Sequence, residues 1–185
     1  MKHPSNQAFF AYWDGKRGDE RAPDRSEFDP DAVRDLLGDI LVLSCDSAAG
    51  YPFRVAGTRL CALLGRDLKD RSFSELFSAD GREIEDIITV VTEEMLAAVA
   101  GITAASEDGA QAHLELLLLP FSHRAHTPLS LTGLLAPFEN GLGRLRDFKL
   151  TSWRYLGHPP VQRLVPRTLR KLKLARGLMV YEGLR

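Results

Sequence analysis

Two cysteines, Cys45 and Cys61, are all that 185 residues offer for covalent bracing, so a disulfide framework is excluded. Both thiols are expected to be free and buried, as in a reducing compartment. No stretch approaches the ~18 uninterrupted apolar residues that a membrane span needs. The opening segment "MKHPSNQAFFAYWDGK" lacks the basic-then-apolar order of a signal peptide, and the chain is expected in the cytosol. Nucleotide chemistry lacks its usual fittings: there is no P-loop and no glycine-rich dinucleotide turn, and "GLG" at 141–143 has no strand-to-helix context. A G-x-S-x-G elbow is missing, and single acids such as Glu115 form no pair that spacing can establish. No catalytic residue is expected, and the chain is not expected to be an enzyme. Histidine is scarce, at five residues. His123 and His126 in "SHRAHTP" have a metal-like spacing, but one loop supplies two ligands and neither His113 nor Cys45 is placed to complete a tetrahedron, so a solvated loop without metal is expected. His113 alternates with Leu114 and should point away from the leucine face, while His3 and His158 sit beside prolines.

What is present is an ordinary globular composition, 44% hydrophobic and 26% charged, long enough to bury roughly 70% of the surface an unfolded chain exposes. Charge is uneven. From Val161 onward seven basic residues face one acid, a net of +6, which leaves −7 for the rest of a chain whose total is −1. Such asymmetry points to an interaction tail or to a helix docked on an acidic face.

Ser5 can cap a helix over residues 5–14 in which Phe9, Phe10 and Trp13 share a side, with Gly15 and Gly18 ending it. "FDPDAVRDLLGD" reads as a second short helix, with Asp29 as N-cap, Pro30 at the first position, Val33, Leu36 and Leu37 on one face and Gly38 as the stop. "ILVLSCD" (40–46) and "FRVAG" (53–57) read as strands joined by a turn. Thr58 then offers an N-cap hydroxyl to a minimal helix through Leu60, Cys61, Leu63 and Leu64, which Gly65 ends as a left-handed cap. Asp80 with Glu83 makes a capping-box-like start to the longest helical signal, where Ile84, Ile87, Ile88, Val91, Met95 and Val99 recur before Gly101. "GITAASEDGAQAHLELLLLPF" reads as two strands around Asp108-Gly109, a dipeptide whose backbone suits a tight hairpin. "PLSLTGLLAPF" and "RDFKLTSWRYLG" follow as strands. The architecture expected is α+β: a five-stranded antiparallel sheet with helices packed on one face. Residues 1–28 form an N-terminal helix and linker, 29–157 the domain, and 158–185 a basic tail.

The segments "YWDGKRG", "FDPDAVRDLLGDILVL", "FRVAGTRLCALLGRDLKDRSFSEL", "LELLLLPFSH" and "LMVYEGLR" resemble a family of stand-alone, mostly alphaproteobacterial PAS-like proteins first catalogued as a domain of unknown function. The likeness spans nearly the whole chain and is most specific at Gly57-Thr58 and Gly65-Arg66-Asp67-Leu68. Relatives usually read Thr-Gly after that leucine, where this chain has Lys69-Asp70, so a turn that needs a glycine backbone must be rebuilt here.

The resemblance implies a space between the helices from Thr58 to Val99 and the sheet's inner face. Its expected lining is Leu60, Cys61, Leu64, Leu76, Ile84, Ile88, Val91, Met95, Leu114, Leu116, Leu118, Leu131 and Leu135. These residues either fill a packed core or surround a small cavity for an apolar or amphipathic metabolite. Haem needs an axial ligand, usually a histidine on the long helix, and none lies between residues 80 and 100. Covalent flavin photochemistry uses a cysteine with polar partners, which "TRLCALLG" around Cys61 lacks, so neither cofactor is expected. The tail segment "PRTLRKLKLARGL" reads as about ten helical residues between Pro166 and Gly177, with Leu169, Leu172 and Leu178 near one side of Arg170, Lys171 and Lys173. It either docks on its own domain or meets an anionic membrane. Aromatics are not interleaved with these charges, so nucleic acid is not expected. The helix bearing Phe9, Phe10 and Trp13 either packs on the sheet or pairs with a second copy, as helices flanking PAS domains often do.

The reading that follows from this resemblance is a non-catalytic PAS-type sensory or regulatory module acting through protein contact, with or without a small ligand. The alternative is a small enzyme or lipid-handling protein. That alternative requires polar residues converging inside the apolar space, with His113, Arg54 and Glu115 the candidates.

Overall fold

Pro4, at the first helical position where its missing N–H costs nothing, starts α1 (Pro4–Arg17). The cap is His3 and not Ser5: the Ser5 N–H donates to His3 Nδ1 at 3.2 Å, and Gly18 at φ +54° stops the helix. The structure is a computed structural model and describes residues 1–77, 80–122, 129–156, 169–173 and 179–183. It divides into two units, Met1–Tyr155 and Leu156–Arg185.

The expected second helix is two 3-10 turns over Asp31–Leu36, because its one buried side chain, Val33, sits at a non-helical φ of −124°. The chain then enters β1 (Ile40–Ser44) and β2 (Phe53–Ala56), an antiparallel pair with a bulge. α2 (Thr58–Leu64) is capped by Gly57 rather than by the Thr58 hydroxyl, and Gly65 ends it at φ +65°, the left-handed cap that the spelling anticipates. In the loop beyond, Asp70 adopts φ +61°. The turn keeps a glycine-like backbone with an aspartate in it, a residue type that tolerates this region better than most.

α3 (Gly81–Glu94) is shorter than its apolar spacing suggests. Met95 turns left-handed at φ +52°, and β3 (Ala97–Ser106) begins two residues later. Met95 and Val99 therefore lie off the helical stripe. The alanines that favour a helix locally are spent in the sheet, where Ala98 and Ala100 face Leu118 and Leu116 of β4 (Gln111–Leu119). The Asp80 and Glu83 carboxylates form no capping box. They accept from the Leu150 backbone N–H (2.9 Å) and the Trp153 indole N–H (2.8 Å), tying α3 to β6 (Leu145–Leu156).

With β5 (Ser130–Pro137), the sheet runs β2-β1-β5-β4-β3-β6: six strands, one for each strand-like segment of the sequence and one more than the five-stranded sheet expected. The β3–β4 hairpin turns at Asp108-Gly109 as expected, with Gly109 at φ +82°. α2 and α3 pack on the inner face, where Leu41, Leu114, Leu116, Leu118, Leu131 and Leu135 join the core. The outer face is covered too, by α1, which contacts β4 and β5. The tail is not a helix over the described residues: β7 (Leu169–Lys173) pairs antiparallel with β8 (Met179–Gly183), whose Val180 and Tyr181 favour strand pairing.

Candidate functional site

The inner face holds the residues expected to line a pocket. Leu60, Leu76, Ile84, Ile88, Val91, Leu114, Leu116, Leu118, Leu131 and Leu135 are buried in one cluster, and Cys61 and Leu64 pack against it half-buried. Met95 is half-buried at the end of α3, beside Cys45 and Phe121. Four rings run through the cluster: Phe53–Phe73, Phe73–Phe77 and Phe77–Phe148 meet edge-to-face at 5.5, 5.4 and 5.9 Å. Such contacts are favourable beyond the area they bury. A dent of about 320 Å³ reaches the edge of this cluster over Leu64, Leu76 and Phe148, rimmed by Arg66, Glu75 and Arg146.

Cys61 sits on α2 with its Sγ 3.9 Å from the Ala56 carbonyl. Burial pushes the Cys45 thiol up to about 11. At pH 8 its alkylation by iodoacetamide is expected to be about tenfold slower than that of a thiol two units lower, because the smaller thiolate fraction is partly offset by a more nucleophilic thiolate, and peptide mapping against labelling time measures this.

On the outer face a polar constellation holds the start of α1. Glu115 is buried on β4 among leucines. Its carboxylate accepts from the backbone N–H groups of Lys2 (2.7 Å) and His3 (2.9 Å) and from Asn6 Nδ2 (3.1 Å), and Asn6 also donates to the Glu115 carbonyl at 3.0 Å. An anion at a helix N-terminus meets both free N–H groups and the positive end of the helix dipole. His3 closes the arrangement. With Nδ1 accepting from Ser5, its Nε2–H donates to the Pro137 carbonyl (3.1 Å), and its ring meets Phe138 edge-on at 5.3 Å. Asn6 Oδ1 is buried and has no hydrogen-bond partner among the described residues. Further along α1, Phe9 and Trp13 are fully buried, and the Trp13 indole N–H donates to the Pro120 carbonyl at 2.7 Å. These two aromatics pack inside their own domain; Phe10 is half-buried. Beside the latch a groove of about 470 Å³ runs over Gly101, between His113 and Thr151.

The three polar candidates for catalysis do not converge. His113 is exposed and pairs with Glu139 at 2.9 Å, Arg54 is exposed on β2, and Glu115 is buried under α1, on the face opposite the apolar core. Among the described residues no three metal-ligating side chains cluster, and no helix is long and apolar enough to cross a membrane. The His123/His126 spacing and His158 lie outside the described residues. Arg170, Lys171 and Lys173 lie on β7. The latch itself escapes sequence reasoning, although one acid inside a run of leucines is its visible trace.

The profile of the PAS domain family matches residues 1–136, most of the chain. The chain belongs to the PAS domain family. Solved structures resemble it at low identity. The PAS domain of an HTR-like protein from Haloarcula marismortui is 20% identical, with 58% of this chain and 90% of that chain covered at a TM-score of 0.43. The Rhodobacter sphaeroides LOV protein is 12% identical, covering 58% and 66% at 0.43, and the light state of the blue-light photoreceptor Aureochrome1 LOV is 12% identical, covering 59% and 88% at 0.44. No curated protein matches at the same standard. PAS domains are in general sensory and regulatory modules. In this one the helices over the inner face enclose an apolar, ring-filled interior, and the helix that precedes the sheet is fastened to the outer face at Glu115.

Proposed function

We propose that this PAS domain is a non-catalytic regulatory module that acts by contact with another protein, a second copy included, and that α1 is the element through which contact is made or released. The observation that carries this reading is the Glu115 latch. One carboxylate holds two backbone N–H groups and the Asn6 amide at the start of a helix that otherwise lies across the sheet, so a local event at one point changes what the whole outer face presents. A small apolar or amphipathic ligand in the inner core would act from the opposite face of the sheet, by shifting the ring chain from Phe53 to Phe148. A ligand moving the domain from 1:99 to 99:1 between two arrangements needs about 5.5 kcal/mol of differential affinity, so a weakly discriminating metabolite biases the module without switching it. The same ring packing supports action without haem or flavin.

Replacing Glu115 with glutamine keeps the shape and puts an amide donor among three donors. The expected result is a loss of about 2–3 kcal/mol of local stability at α1. It is read as lost hydrogen-exchange protection at residues 4–17 while the β4 and β5 amides stay protected. Native mass spectrometry and affinity capture with the full chain then test the function: wild type and E115Q should differ in self-association or in the protein captured. A chain that stays monomeric and captures nothing in both forms refutes the reading.

A further inference from the structure

Arg25 follows Asp24, which bridges to Ser122, and its backbone N–H donates to the Ser122 carbonyl at 3.0 Å. This places its side chain over the outer face near β5. The guanidinium lies between the rings of Phe28 and Phe121, 5.1 Å from each centroid, and its Nη1–H donates to the Thr132 hydroxyl. A guanidinium carries five N–H donors in a planar fork shaped for an oxyanion. Among the described residues no carboxylate forms an ion pair with it.

The charge that does act on Arg25 is another cation. Burial and then Arg54 hold the Arg25 pKa below its ordinary value, so its charged form lies in surroundings that disfavour it. Arg54 is the extra residue of the bulge between β1 and β2, exposed together with Val55. The register Val55↔Val42↔Thr132 carries this row across three strands to the hydroxyl that Arg25 holds. Arg54 also forms no ion pair among the described residues. Stacking on two rings accounts for the position of Arg25. It does not account for the second cation, or for a fork that has one bonded nitrogen among the described residues.

We propose that Arg25 and Arg54 form a binding site for an oxyanion, a carboxylate or phosphate group carried either by a small molecule or by an acidic peptide segment. Arg25 supplies the oriented, partly desolvated fork, where charge-assisted hydrogen bonds are strongest, and Arg54 supplies the outer arm. This site lies outside the inner core, and its Phe28 ring meets Phe9 and Tyr12 of α1 edge-on at 6.4 and 6.0 Å.

The test titrates the full chain with sodium phosphate, sodium citrate and a glutamate oligopeptide, each against sodium chloride at matched ionic strength, following melting temperature and heat of binding. A saturable effect from phosphate or citrate identifies a free oxyanion, and one from the peptide alone identifies a peptide-borne carboxylate; both support the site. In Arg54→Gln, an exposed position, the circular dichroism and the melt in chloride should be unchanged while affinity falls by about tenfold or more. Arg25→Lys, which keeps the charge and removes the fork, should also weaken binding. If no probe acts beyond chloride, or if R54Q binds as wild type does, the assignment is wrong.

Discussion

Trp13→Ala should lower the stability of the domain by about 3–5 kcal/mol, among the largest effects of any single truncation in the chain. The indole is fully buried between α1 and the sheet, so its removal leaves a cavity that a helix end and a sheet cannot close without moving. It also strips the buried Pro120 carbonyl of its donor at 2.7 Å. Trp13→Phe separates the two contributions: most of the apolar contact survives, the carbonyl is left unpaired, and the cost should fall to about 1–3 kcal/mol. Urea unfolding measures both. Hydrogen exchange shows whether the loss is confined to α1, as expected if the helix detaches as a unit, or is shared by the sheet.

A second large effect is expected from one methyl group. Gly57 has an ordinary extended φ of −65°, so its role is close approach and not an unusual backbone. A Cβ there would overlap the backbone carbonyl oxygens of Leu37 and Gly38, which cannot swing aside as a side chain can. The same junction is tied by Gly57 N–H to the Ile40 carbonyl (2.8 Å), by Leu60 N–H to the Gly38 carbonyl (3.1 Å) and by Cys61 N–H to the Gly57 carbonyl (3.0 Å). Gly57→Ala must pry the loop from the start of α2. A loss of about 3 kcal/mol is expected, at the upper end of overpacking costs, measured as a lower urea midpoint with the slope unchanged. Gly57→Ala should be more damaging than Gly109→Ala, where the added methyl meets open space and the cost is the strain of φ +82° alone, about 1–2 kcal/mol.

The elements legible in the sequence are those whose signals are local and agree with one another. Gly65 ends α2 in the left-handed region, Asp108-Gly109 turns the hairpin, and the stripe of Phe9 and Trp13 is the buried side of α1. Where local and long-range preferences conflict, spelling misleads. Ala97 to Ala100 are good helix formers next to a helix, and only the facing leucines of β4 make them a strand. Asp80 and Glu83 are spaced for a capping box, yet partners about seventy residues away on β6 claim both carboxylates. For the candidate site, Leu116 to Leu119 carry the missed signal. A strand with one wet face alternates, whereas this run is apolar on both sides and demands a cover on each. The cover is α1, and Glu115, the charge immediately before that run, marks where its first turn is held. The Arg25 site is not legible at all, because its parts come from a turn, a bulge and a strand far apart in the chain.

The loop that departs from the family pattern at Lys69-Asp70 also bears on colloidal behaviour. Its Asp70 N–H donates to the Phe53 carbonyl at 2.8 Å, and its Arg71 carbonyl accepts the Phe53 N–H at 2.9 Å. β2 is an end strand of the sheet, and an end strand with free backbone groups is a template for aggregation and fibril growth. Here four residues, a bulge and a charged loop already seated on that rim leave little for a foreign strand to pair with. Changes at Asp70 or Arg71 therefore bear on solubility at high concentration, a property that neither the core nor the latch at α1 governs.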